Sequence, residues 1–97
     1  MPRTLTAARA MVRPENEAQY VAMLPERAGL VRARGANFWV FRSRAEAGAW
    51  LEFVESGDGR AGARSAREIE LERQSRMLAA YAPDAEAVWE EVECRVE

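Results

Sequence analysis

GANFWVFRSRAEAGAWLEFVE, Gly35 to Glu55, decides the fold. Two runs rich in aromatic and β-branched residues, NFWVF and WLEFV, flank a polar connection that contains Gly48. In an extended chain successive side chains point to opposite faces. Phe38 and Val40 then share one face and Trp39 and Phe41 the other. Across the turn, Leu51 and Phe53 share a face, with Trp50, Glu52 and Val54 opposite. The reading is a β-hairpin at the centre of one small sheet. A competing reading makes residues 43–55 an amphipathic helix, with Ser43 as cap and Glu46 completing a capping box. The alanines favour the helix; Gly48 and the alternation over Trp50–Glu55 favour the strand.

Apolar residues on both faces of both strands call for cover on both sides. One helical layer covers one face. In a chain of 97 residues the second layer is expected from another copy, giving a homodimer joined through the sheet face.

Working outward from the hairpin, Thr4–Val12 reads as a central strand. Leu5, Ala7 and Met11 share one face; Thr6, Ala8, Ala10 and Val12 share the other. A helix starts near Arg13–Glu17, where Pro14 suits the first turn and the acids face the positive end of the dipole. Tyr20, Val21, Leu24, Ala28 and Val31 form its apolar stripe. Pro25 interrupts it, which predicts a kink or two helices meeting there. Gly35 suits the C-terminal cap.

Beyond the hairpin, Ser56–Gly59 breaks regular structure. Ser65 and Glu68 have capping-box spacing and open a second helix. Leu71, Gln74, Leu78 and Tyr81 supply its apolar face, and Pro83-Asp84 ends it. Val88–Val96 alternates as a last strand, with Val88, Val92, Cys94 and Val96 inward. The order β-α-β-β-α-β is a ferredoxin-like α+β fold: a four-stranded antiparallel sheet with both helices on one face, a single domain over residues 1–97.

Composition narrows function. The apolar fraction of 48% fits a globular chain and the net charge of −2 argues against a nucleic-acid partner. Every positive charge is an arginine, which matches a GC-rich coding sequence. The lone Cys94 and the lack of an apolar leader fit a reducing cytoplasm. No run is apolar enough to span a membrane. With no histidine, Ser/His and Cys/His dyads are excluded and metal binding has little support. The stretch SGDGRAGAR, Ser56–Arg64, matches neither phosphate-loop spacing and reads as a connection. Cys94 reads as a small core residue.

Glu52 is the ionisable group of interest, because the alternation sets it on a covered face. It is the candidate catalytic residue: either neutral and able to move a proton, or ion-paired with Arg9 or Arg42. Tyr20, Trp39, Phe41 and Trp50 are candidates for lining an aromatic ligand pocket, against ordinary packing.

The run RARGANFWVFRS followed by AWLEFVE, a polar break and a helix resembles the dimeric α+β barrel superfamily, which includes antibiotic-biosynthesis-monooxygenase-like and NIPSNAP-like domains. The resemblance spans nearly the whole chain. It implies two subunits packed sheet against sheet, with a small-molecule cavity in each between sheet and helices. Haem-degrading members have an Asn, a Trp and a His at the pocket; this chain offers Asn37, Trp39 and Trp50 but no histidine, which argues against that activity. Members acting on polyphenols use no cofactor, so none is expected. The alternatives are a binding domain for a small hydrophobic or aromatic molecule and a cofactor-independent monooxygenase-like or isomerase-like enzyme acting on a flat hydrophobic substrate.

Overall fold

The hairpin forms, with its first strand at an edge of the sheet rather than the whole hairpin at the centre, and the 43–55 helix does not. The computed structural model describes residues 2–57 and 61–96. Strand β2 (Ala36–Arg42) pairs antiparallel with β3 (Ala49–Ser56), Phe38 opposite Val54 and Val40 opposite Glu52. Ser43 does cap a turn, since its Oγ accepts from the amides of Ala45 and Glu46 at 3.2 and 2.9 Å. No helix propagates from it. Gly48 turns the chain at φ 82° and its carbonyl accepts from the Val12 amide at 2.8 Å. A Cβ on Gly48 would lie 2.7 Å from the Val12 carbonyl oxygen. Gly48→Ala is therefore expected to destabilise by at least about 1–2 kcal/mol, the left-handed penalty alone, read as a lowered denaturant midpoint.

Strand β1 (Thr4–Val12) is central, as expected, and pairs along β3 from Thr4 opposite Ser56 to Met11 opposite Ala49. Its other edge is shared by two short antiparallel strands. β4 (Ala79–Tyr81) pairs with Ala10–Val12, and β5 (Val88–Glu90) pairs with Thr4–Thr6. The sheet order is β2-β3-β1-β4, with β5 also on β1. With helices α1 (Pro14–Ala33) and α2 (Ala66–Leu78) the arrangement is ferredoxin-like, β-α-β-β-α-β, with the fourth sheet position divided in two.

Three expectations are corrected here. Helix α2 stops at Leu78, not Pro83, because Ala79 turns extended (φ −140°, ψ 149°) and joins the edge of β1. Tyr81 thus sits on a strand. The last strand ends at Glu90 instead of Val96. Its neighbour β1 begins at Thr4, so pairing runs out after the Glu91 amide bonds the Arg3 carbonyl at 2.8 Å. Val88, Val92, Cys94 and Val96 are consequently exposed rather than inward. Finally, α1 runs unbroken through Pro25 rather than as two helices. Pro25 is exposed, and Tyr20 and Leu24 on one side of it and Arg27 and Val31 on the other all face the sheet. Packing of that stripe carries the helix across the missing hydrogen bond. Val21, expected on the stripe, is exposed. The break expected at Ser56–Gly59 falls partly on residues 58–60, outside the described residues.

The inner sheet face meets the helices. Ala10, Val12, Tyr20, Trp50 and Ala79 form one buried cluster, and Val31, Ala36 and Phe38 a second. Tyr20 and Trp50 pack with ring centroids 5.3 Å apart. The outer face carries Met11, Trp39, Phe41, Leu51 and Trp89, all exposed in the single chain. Phe41 and Phe53 meet edge-on there at 5.6 Å.

Candidate functional site: a cavity floored by a buried carboxylate

Glu52 lies mid-strand on β3, between Ala8 of β1 and Val40 of β2. The alternation that buries Trp50 also sends Glu52 inward, where it is 4% exposed. Burying a lone carboxylate costs several kcal/mol, so it must be paired. Its partner is Arg27 of α1. Nη2 donates to Oε1 at 2.9 Å and Nη1 to Oε2 at 3.0 Å. The hydroxyls of Tyr20 and Tyr81 also donate to Oε2, at 2.5 and 2.6 Å. The Arg27 guanidinium rests 5.0 Å from the Phe38 ring centroid.

Two expectations about Glu52 change. The arginine is neither Arg9 nor Arg42. Arg9 pairs with Glu46, since odd-numbered β1 residues face outward. Arg42 sits 5.7 Å from the centroid of the Trp50 ring. Nor is Glu52 neutral. Burial pushes its pKa up, but Arg27 and the two phenols outweigh burial and hold it below the ordinary carboxylate value. Burial and the adjacent carboxylate raise both phenols, so Tyr20 and Tyr81 stay protonated. Burial alone would lower Arg27, yet Glu52 more than offsets it. The group is a fixed charge-assisted network, suited to accepting hydrogen bonds rather than storing a proton.

This network floors a cavity of about 630 Å³ between the inner sheet face and α2. Thr4, Thr6 and Ala8 of β1 form one wall; their small side chains leave the space. Glu72 and Arg76 of α2 and the segment Ala85–Val88 stand opposite. Arg34, which also lines the cavity, makes a second, part-buried pair, Nε to Glu68 Oε1 at 2.9 Å and Nη2 to Glu68 Oε2 at 3.0 Å. Ser65 caps α2 by accepting the Glu68 amide at 3.1 Å. The Glu68 side chain goes to Arg34 instead of completing the capping box. Arg76 lies 5.1 Å from the Tyr81 ring centroid and donates to Glu86 at 3.0 Å.

The structure divides the sequence candidates. Tyr20, Trp50 and Glu52 come together, but Tyr20 and Trp50 lie behind the floor and do not line the cavity. Asn37, Trp39 and Phe41 are on the opposite sheet face, because odd positions of β2 point away from the helices. There the Asn37 Nδ2 donates to Glu55 at 2.8 Å. Tyr81 is the one aromatic among the described lining residues. Arg27 and Tyr81 were missed. Arg27 had a signal, since it continues the Tyr20–Leu24–Val31 stripe at helical spacing. Tyr81 had none, because its strand exists only by pairing with β1. Among the described residues no cluster of metal-ligating side chains occurs, and no helix is long and apolar enough to cross a membrane.

Solved structures of similar shape share this architecture. SnoaB, a cofactor-independent oxygenase from Streptomyces nogalater solved as a point mutant, superposes with a TM-score of 0.73 at 12% identity, over 97% of this chain and 95% of that one. A protein from Bordetella bronchiseptica, described as a candidate antibiotic biosynthesis monooxygenase, gives 0.69 at 18% identity, over 98% and 100%. A third, from Mycobacterium tuberculosis, gives 0.66 at 18%, over 99% and 98%. This chain has their ferredoxin-like fold. No protein-family model matches the sequence, and no curated protein does. Within this ferredoxin-like fold, the Glu52 network lies between sheet and helices, where the resemblance seen in the sequence implied a cavity.

Proposed function

We propose that the chain is a cytoplasmic homodimer whose copies each bind one small, flat organic molecule between sheet and helices. The cavity above Glu52 and Tyr81 carries this reading, because its volume lies within the range of small-molecule sites. The apolar outer face supports the dimer. Ala8 provides the test: it lines the cavity, opposite Glu52 in register. Ala8→Phe fills the space without removing any member of the network. Micromolar binding of a hydroxylated polycyclic aromatic by wild type, measured by calorimetry, is expected to weaken at least about 100-fold in the variant. Equal binding by both proteins sinks the reading.

A second reading, a cofactor-independent oxygenase acting on such a molecule, is favoured by the likeness to SnoaB. It takes Glu52 as the candidate catalytic group, an ionised acceptor for a substrate hydroxyl. Oxygen consumption by metal-free, flavin-free protein on adding the aromatic supports it; binding without oxygen uptake removes it.

A further inference from the structure

The hydrogen bonds on the cavity floor are unevenly distributed. Glu52 Oε2 accepts three, from Tyr20, Tyr81 and Arg27 Nη1, whereas Oε1 accepts one, from Arg27 Nη2. Each carboxylate oxygen offers about two lone-pair sites, so Oε2 is over-subscribed by its three donors while Oε1, with one, keeps a site open. Tyr81 has given its only proton to Glu52, so toward the cavity its oxygen can only accept. The Glu52 and Tyr81 oxygens of the floor therefore seek a donor. The arginines lining the rest of the cavity are already engaged: Arg34 with Glu68, Arg64 with Glu72 and Arg76 with Glu86. None of these described lining cations is left unpaired to neutralise an anionic ligand. Arg27 already balances the charge of Glu52, so the donor needs no positive charge.

We propose, on the reading that the cavity holds a flat molecule, that Glu52 Oε1 accepts a hydrogen bond from a neutral hydroxyl at the ligand's buried end, which selects hydroxylated ring systems over their ethers and over organic carboxylates. Glu52 is then the residue that sets ligand orientation and class. An ether presents only an acceptor and so leaves Oε1 unmet. A carboxylate sets like charges together with no cation in reserve. Both penalties operate in a desolvated site, where unmet polar groups are costly.

Three probes of one shape separate these cases: naphthol, its methyl ether and naphthoate, titrated calorimetrically into the wild-type protein at neutral pH. Naphthol is expected to bind at least about tenfold more tightly than the ether, about 1.4 kcal/mol, with naphthoate weakest. Ala8→Phe is expected to abolish naphthol binding, which locates the probe in the cavity. Glu52→Gln is expected to shrink the preference for naphthol over ether. Should that variant fail to fold, the comparison on wild type still decides. Equal affinity for naphthol and ether, or tightest binding of naphthoate, overturns the inference while the cavity reading stands. Binding of none of the three overturns both.

Discussion

Replacing Arg27 with alanine is expected to cost about 3–5 kcal/mol, because it leaves the Glu52 carboxylate buried without its cation. Both side chains are under 10% exposed, so solvent cannot screen the loss. A domain of this size has about 5–15 kcal/mol of total stability. The midpoint of thermal unfolding should fall by on the order of 15–30 °C. The double variant Arg27→Met with Glu52→Leu should recover most of that loss, since a buried pair replaced by apolar residues is often neutral. A loss under about 1 kcal/mol in Arg27→Ala would show that the pair is solvated. The same network sets an acid limit. The folded-state pKa of Glu52 lies below the ordinary value of 4.5. Its stabilisation is therefore complete above that value and lost as pH falls beneath it, through the folded-state pKa. Urea midpoints measured downward from neutral pH should drop more steeply below about pH 4.5 for wild type than for the double variant.

The second large effect is expected at the outer sheet face. Wild type should sediment at twice the 10.9 kDa of one chain, and Trp39→Asp should weaken that association at least about 100-fold. The substitution removes an exposed aromatic from the apolar face, on edge strand β2, and demands burial of an unpaired carboxylate, a cost of several kcal/mol. Met77→Asp is the control. Met77 is 79% exposed on α2, on the helical side, and should leave sedimentation unchanged. A wild-type protein that is a stable monomer at micromolar concentration contradicts the proposed dimer.

The origin of each effect explains what could be read in advance. Burial of Glu52 follows from its place between Trp50 and Val54 on an alternating strand, and so was legible. Its ionisation was not, because that depends on Tyr20 and Arg27 of α1 and Tyr81 of β4 arriving from two other elements. Trp39 and Phe41 looked like pocket residues because they are aromatic. Their parity on β2 places them on the open face, and the same parity argument, pursued from Glu52, would have separated them from the cavity.

Local pattern alone determined the hairpin, the central strand Thr4–Val12, the start of both helices and the two-faced sheet, since period-two alternation and capping chemistry act over a few residues. Only tertiary structure decided where α2 gives way to β4, where β5 ends, and which arginine meets Glu52. Strand length on the edge is fixed by the extent of β1, and an ion pair by which helix face lies over it. Those are properties of neighbours distant in sequence, and no short stretch of the chain encodes them.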